Sequence, residues 1–270
     1  MFENHSIYAV DTTTIDLCLN VFWWAKFRKN KGAIRLHTVL DIKTEIPCFI
    51  HITDGKTHEV NVLDEIEFEA NGFYIMDRGF IDYERLYSIH NQKAFFVTRA
   101  KTNMKCRRIY SARVDKSTGV RYDQTIKLEN VKSLHEYPEK FRRVKYYDAE
   151  TDKTFIFLTN NIDLSALEIA LLYKHRWKIE LFFKWIKQHL KVKSFWGHSE
   201  NAVRVQIYVA IITFVTVAYM KHKLEIPLTQ YQILQILSLT LLNKTPLNQL
   251  LSDPNLQNQS SLECNQLELF

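Results

Sequence analysis

Two short apolar runs each end on a carboxylate: Ile7-Tyr-Ala-Val10 before Asp11, and Phe73-Tyr-Ile-Met76 before Asp77. Runs of β-branched and aromatic residues without glycine read as strands buried in a sheet. An acid closing such a strand sits at its carboxyl end, where α/β sheets bind ligands. Strand-end aspartates also form turns, so each acid alone leaves a purely structural role open. Around the two runs the pattern is mixed. Residues 34–42 and 46–53 read as further strands divided by Thr44-Glu45, and Asn61–Phe68 reads as helical. A helix over about 81–91 and a strand at Ala94–Thr98 follow. Residues 101–153 alternate polar and apolar side chains, as in Arg107-Arg-Ile-Tyr-Ser-Ala-Arg-Val114, which predicts antiparallel β structure. Thr154–Thr159 is another strand. Residues 164–194 form one long or broken helix, 201–222 a second, and 228–242 a third, weaker one.

Strands, a helix, a strand, a helix and a strand, then helices, define an α/β chain whose order suits an RNase H-like mixed sheet. The expected layout places the first part of that core at 1–100 and a β-rich insertion at 101–153. The second part, with helices on both faces of the sheet, takes 154–245. A tail at 246–270, rich in Asn, Gln and Ser, is expected to be disordered.

Composition removes several alternatives. Six glycines and no GxGxxG or Walker-type loop argue against a nucleotide-binding fold. The four cysteines, Cys18, Cys48, Cys106 and Cys264, form no CxxC pair, which argues against a zinc ribbon or a disulfide framework and fits a reducing cytoplasm. His51 and His58 flank Asp54, and surface loop positions are the expected reading for them. The longest apolar run, Ile207–Met220, has 14 residues, against about 20 for a membrane span. It reads as a buried helix, and no membrane partner is expected.

The net charge of +6 is concentrated in one place. Between Tyr173 and Lys193 stand Lys174, Arg176, Lys178, Lys184, Lys187, Lys191 and Lys193, with Glu180 the single acid. On a helix advancing about 100 degrees per residue, Tyr173, Arg176, Glu180, Lys184, Lys187 and Lys191 fall in a stripe about 80 degrees wide. Ile179, Phe182, Trp185 and Ile186 lie opposite. A structural helix balances such charges with Glu–Lys pairs. One acid among cations suits a metal-holding carboxylate with phosphate-holding neighbours, although a solvated face has the same composition.

With Asp11 and Asp77, Glu180 completes a set of three carboxylates. Drawn within about 4–6 Å, each pair repels by on the order of 4 kcal/mol at an effective dielectric of 20. Divalent cations relieve that repulsion, and oxygen-only donors select Mg²⁺ or Mn²⁺. Two such ions activate a water or a 3′-hydroxyl and stabilise the leaving oxygen in displacement at phosphorus.

Tyr173, Arg176, Glu180 and Lys187, separated by two, three and six residues, reproduce the Y-(2)-R-(3)-E-(6)-K signature. On this spacing, and on Asp11 in Ala-Val-Asp-Thr-Thr-Thr and Asp77 in Met-Asp-Arg-Gly-Phe, the chain resembles DDE transposases of the insertion-sequence-four family of bacterial mobile elements. Leu158-Thr-Asn-Asn161 and Glu180–Leu190 extend the resemblance, which covers residue 6 to about 245. It implies an RNase H-like fold with a β-rich insertion between the second Asp and the Glu. It also implies cut-and-paste DNA transposition: metal-dependent nicking, hairpin formation and resolution, and strand transfer. Asp11, Asp77 and Glu180 are then the catalytic and metal-holding residues, with two Mg²⁺ or Mn²⁺ ions. Tyr173, Arg176 and Lys187 contact phosphates near a flipped end base, and Lys184 and Lys191 extend that surface. Trp177 either stacks on a base or packs. The partners implied are transposon-end and target DNA and a second copy in a synaptic homodimer, in a bacterial cytoplasm at the nucleoid. Family members carry an N-terminal DNA-binding domain before the first Asp. Because Asp11 lies so near the start, that domain is expected to be absent, leaving weakly specific, salt-dependent binding. Two other functions fit the same acids and cations: an RNase H-like nuclease without strand transfer, and a truncated, non-catalytic DNA-binding remnant.

Overall fold

The computed structural model describes residues 5–189, 195–240, 244, 246 and 250–251. The chain divides into two compact units, Met1–Trp185 with His198–Glu200, and Ile186–Gly197 with Asn201–Phe270.

In the first unit, β1 (Ile7–Leu17), β2 (Lys26–Arg28), β3 (Lys31–Asp41) and β4 (Pro47–Asp54) form an antiparallel group, followed by β5 (Phe73–Met76), α1 (Tyr83–Asn91) and β6 (Phe95–Arg99). Then come β7 (Cys106–Ala112), β8 (Val120–Leu128), α2 (Val131–Glu136), β9 (Phe141–Asp148), β10 (Lys153–Thr159), α3 (Ala166–Lys174) and α4 (Trp177–His189), whose residues from Ile186 onward fall in the second unit. All ten strands join one sheet in the order β2-β3-β1-β5-β6-β10-β9-β8-β7, with β4 on β3. β1 pairs antiparallel with β3 and parallel with β5, and β5 pairs parallel with β6. Two antiparallel neighbours beside two parallel ones is the RNase H-like order expected from the sequence. The strands of 106–148 do not form a separate layer; they prolong the same sheet through β10.

Burial explains the centre. All four residues of β5 are buried, as a strand with parallel neighbours on both sides demands. Val10, Met76, Leu86, Phe96, Tyr137, Phe141 and Leu158 share one apolar core with Phe80 and Ile89. The Asn61–Phe68 stretch is a six-residue 3-10 turn at Glu59–Asp64 rather than an α-helix. Val60, Val62, Ile66 and Phe68 are all buried from it, so packing of branched and aromatic side chains overrides the helical pattern. Asp82 caps α1 through the Arg85 amide, and Ser165 and Glu168 close a capping box on α3.

The 164–194 helix is broken. α3 ends at Lys174 and α4 begins at Trp177. Across the join the Arg176, Lys178 and Ile179 amides donate to the carbonyls of Tyr173, His175 and Arg176, each three residues back. That tighter winding shifts the phase between Tyr173 and Glu180, so one helical projection does not hold across the break.

In the second unit, α5 (Glu200–Lys223) and α6 (Gln230–Thr240) follow, with a core of Val217, Ile226, Leu228, Ile233, Ile236 and Leu251. The buried-helix reading of Ile207–Met220 holds for one face only. Ile207, Ile211 and Phe214 are buried, whereas Val209 and Ile212 are 55% and 63% exposed, because the run is apolar on every side. With its ends included, α5 is long and apolar enough by length and composition to cross a membrane. Lys191, Lys193 and the 246–270 tail, apart from residues 246, 250 and 251, lie outside the described residues.

Candidate active site

The parallel ladders place the first two acids. Val10–Met76 is the last pair between β1 and β5, and Met76–Thr98 the last between β5 and β6. Asp11, Asp77 and Arg99 are the next residues on three neighbouring strands, so they form a row at one edge of the sheet centre. Asp77 ends its strand, as expected. Asp11 does not: β1 runs on to Leu17, paired with β3 alone, and Asp11 faces Thr38 across that ladder. Asp11 therefore marks where β1 loses its parallel neighbour.

Each carboxylate is met by an arginine. Arg99 donates to Asp77 Oδ1 from Nε at 3.1 Å and from Nη2 at 2.5 Å. Arg176 donates from Nη1 to Asp11 Oδ2 at 3.1 Å and from Nη2 to Glu180 Oε1. One guanidinium thus spans a strand carboxylate and a helix carboxylate that lie far apart in sequence. Tyr173 is buried, and its hydroxyl donates to Asp77 Oδ1 at 3.5 Å. Arg99 and Arg176 both lie about 6 Å from its ring centroid.

Electrostatics follow this geometry. Burial pushes the Asp11 carboxyl up to about 6; the Thr12 amide and Arg176 oppose, and Asp77 and Glu180 add to the rise. Burial also pushes Asp77 up, but the Arg99 hydrogen bonds and the Arg78 amide outweigh it and hold the carboxyl below its ordinary value. Burial pushes the Tyr173 phenol up to about 12, so it is a neutral donor. Among the described residues no three His, Cys, Asp or Glu side chains stand as a ready metal cluster. The donor chemistry still fits a hard cation: the three acids supply oxygens alone, and two already share one positive group.

The other expected site residues are spread around this centre. Trp177 is 60% exposed and lines a cleft of about 650 Å³ with Phe155, Phe157, Tyr173, Arg176 and Glu180. Lys184 is exposed one turn beyond Glu180, and Lys187 lies two turns beyond it on α4. Lys174 and Lys178 are engaged by acids, at Asp148 and Glu150 and at Glu45. His51 is not in a loop but on β4, beside Phe49, and His58 caps the 3-10 turn. Two residues escaped the sequence reading. Arg99 is legible only once β6 is aligned with β5. His37, inside an apolar run, is fully buried between Thr12 Oγ1 at 2.8 Å and Thr53 Oγ1 at 2.9 Å, one residue along from Asp11 in the β1–β3 register.

A family model described as Transposase DDE domain matches residues 3–215, and the chain belongs to that family. It is 34% identical over 228 residues to Putative transposase y4zB of Sinorhizobium fredii (strain NBRC 101917 / NGR234), covering 82% of this chain and 63% of that protein. It is 30% identical to the Probable transposase for insertion sequence element IS5377 of Geobacillus stearothermophilus, over 78% of this chain and 55% of the relative. The Putative transposase for insertion sequence element IS4SA of Synechocystis sp. (strain ATCC 27184 / PCC 6803 / Kazusa) is 29% identical, over 77% and 58%. The chain therefore spans between 55% and 63% of the length of these curated relatives. A cryo-EM structure of the piggyBac transposase synaptic complex with hairpin DNA aligns over 97% of this chain and 55% of that one, with 10% identity and a TM-score of 0.49.

Proposed function

We propose that this chain carries out divalent-metal-dependent DNA strand cleavage and strand transfer, with Asp11, Asp77 and Glu180 holding two Mg²⁺ or Mn²⁺ ions. The observation that carries this reading is the Arg176 bridge from Asp11 to Glu180, beside the Asp11–Asp77 pair at the end of the parallel ladder. It draws a helix acid and two strand acids to one edge of the sheet. When bound, the ions supply a polarised oxygen nucleophile and stabilise the leaving oxygen. The protein's own groups do the rest. Tyr173 donates its hydroxyl toward Asp77 and fixes one lone pair of that acid. Arg176 and Arg99 neutralise the carboxylates and, released from them, are forked donors matched to phosphate. Trp177 presents an exposed aromatic face in the same cleft, Lys184 is exposed one turn beyond Glu180, and the role of Lys184, Lys187 and Lys191 in this reading is to hold phosphates of the DNA backbone. Transposon-end and target DNA are the substrates, in a bacterial cytoplasm, and a second copy of the chain is the synaptic partner. Membership of the transposase family and the relatives' names support this reading.

The test is nicking and joining of labelled terminal-repeat duplexes with Mg²⁺ or Mn²⁺. Wild type should nick and then join a 3′-hydroxyl end to target DNA. Asp11→Asn, Asp77→Asn and Glu180→Gln should each lose both steps by at least about 1,000-fold, a few kcal/mol of transition-state stabilisation. Nicking without joining would favour a nuclease. DNA binding with neither step would reduce the chain to a binding remnant.

A further inference from the structure

Next to the acidic row lies a second cleft, of about 510 Å³, at the junction of the core sheet with β9 and β10. Its lining holds five cations, Arg78, Arg99, Lys101, Arg143 and Lys153, against one carboxylate, Asp152. Arg99 holds Asp77, and the Lys101 ammonium donates to the Ile81 carbonyl at 3.1 Å. Asp152 accepts the Tyr147 hydroxyl at 2.8 Å. Arg78, Arg143 and Lys153 make no ion pair among the described residues.

Arg143 is the most informative of these. Its guanidinium donates to Gln124 Oε1 at 2.7 Å and to Cys106 Sγ at 3.2 Å, and its carbon lies 5.2 Å from the Tyr122 ring centroid. Its Nε is buried and has no hydrogen-bond partner among the described residues. Lys145, opposite Tyr122 on β9, sits over the same ring at 5.9 Å. A cation held in place by a ring, an amide and a thiol, with no ion-pair partner among the described residues, presents its charge at a fixed position. The ring and the two hydrogen bonds offset part of the cost of holding the charge there, but the buried, unpartnered Nε remains a cost to folding. An anion entering the cleft relieves it.

Position names the anion. Arg99, Lys153 and Phe155 line both this cleft and the one holding Glu180 and Trp177, so the two are continuous along β10. We propose that the Arg78–Arg143–Lys153 cleft is a backbone track for DNA, gripping phosphates of the strand that leads away from the reacting position onto the β7–β9 insertion. This rests on the reading that the chain acts on DNA. The contacts are to phosphate, so they confer grip and register rather than base specificity.

The test is a salt titration of the 270-residue chain with a fluorescein-labelled 40-base-pair duplex of arbitrary sequence, followed by anisotropy. Each phosphate contact adds about 0.9 to the slope of log affinity against log salt. Arg78→Ala/Lys153→Ala, two exposed substitutions, should lower that slope by about two and weaken binding at least about tenfold at physiological salt. Lys56→Ala/Lys132→Ala, charge-matched on exposed positions outside the cleft, should leave the slope unchanged. Adding Arg143→Gln to the first pair should remove about one further contact, with thermal melting to confirm that the fold is retained. If the first pair matches the control while wild type binds and nicks DNA, the track is wrong and the active-site reading survives. If wild type binds no duplex even at low salt, both fail.

Discussion

Thr12 Oγ1 and His37 Nδ1 lie 2.8 Å apart at directly opposed positions of β1 and β3, one residue along from Asp11 and on the other face of the sheet. Burial moves the protons of His37 and Asp11 in opposite senses. Burial, helped by His51 and Arg35, lowers His37 to about 4, whereas Asp11 is raised to about 6. For His37 the folded value lies below the unfolded one, so its contribution is complete above about 6.5 and is lost as pH falls toward 4. For Asp11 the folded value lies above the unfolded one, so its contribution is complete below about 4 and is lost as pH rises through 6. Between pH 4 and 6 the two slopes oppose each other. Asp11→Asn removes one of them. In chelator, we expect its stability relative to wild type to increase by roughly 3 kcal/mol from pH 4 to pH 7, two pKa units' worth. Urea unfolding at both pH values checks this, and a pH-independent difference would refute the buried, acid-crowded setting of Asp11.

Arg176 compensates Asp11 and Glu180 at once, with its own side chain 16% exposed. Arg176→Gln keeps much of the volume and removes the charge, leaving two carboxylates facing each other. In chelator this should cost about 2–3 kcal/mol, toward the low end for a broken, partly buried ion pair because Glu180 retains solvent. If the same carboxylates bind divalent cations, Mg²⁺ should raise the melting temperature of Arg176→Gln more than that of wild type. An equal Mg²⁺ response in the two proteins would mean that the guanidinium and the ions do not share those acids.

The sequence made the elements and the acids visible, but not the relations that depend on pairing. Asp11 and Asp77 are legible because an apolar run that stops on a carboxylate is a local pattern. The end of β1 was misplaced because the apolar run stops on Asp11, and only the β1–β3 ladder carries the strand on through the β-branched threonines that follow. Glu180 was legible from its spacing to Tyr173, Arg176 and Lys187. A broken helix was left open by the sequence, but not the place of the break at His175–Arg176, since nothing there is Gly or Pro and the signal is a change of hydrogen-bond register. Arg99 and His37 each become meaningful through a residue on a neighbouring strand, information that no single segment holds. Arg142 and Arg143 read alike in sequence, yet one is paired with Asp123 and the other faces the basic cleft.

Arg142 shows what the paired alternative does. It forms a two-pronged bond to Asp123, with side chains 9% and 14% exposed, and its Nη1 also reaches the carbonyls of Asn161 and Leu164. It ties β9 and β8 to the loop that launches α3, and so supports the Tyr173–Arg176 segment from behind. Arg142→Ala should cost about 3–5 kcal/mol, because it strands a largely covered Asp123 carboxylate, 14% exposed, and two carbonyls. Asp123→Asn/Arg142→Met should recover a large part of that loss. Failure of the double substitution to recover stability would place the cost in packing rather than in the unpaired charge.

Trp177 offers a clean separation of binding from folding. The sequence left stacking and packing open, and a ring 60% exposed at the start of α4 buries too little area to be a core contact. Trp177→Ala should therefore change the unfolding free energy by no more than about 0.5 kcal/mol. The ring shares its cleft with Phe155, Phe157, Arg176 and Glu180, so an unpaired base entering there would meet an aromatic face next to the acids. Base stacking of this kind contributes about 1–3 kcal/mol, and it requires an unstacked base. The substitution should weaken binding of a duplex with an unpaired terminal base by about 5- to 100-fold and of a blunt, fully paired duplex hardly at all, with little change in salt slope. Phe at 177 should restore most of the difference. Equal weakening on both duplexes would make Trp177 a general surface contact, and a large loss of stability would return it to packing.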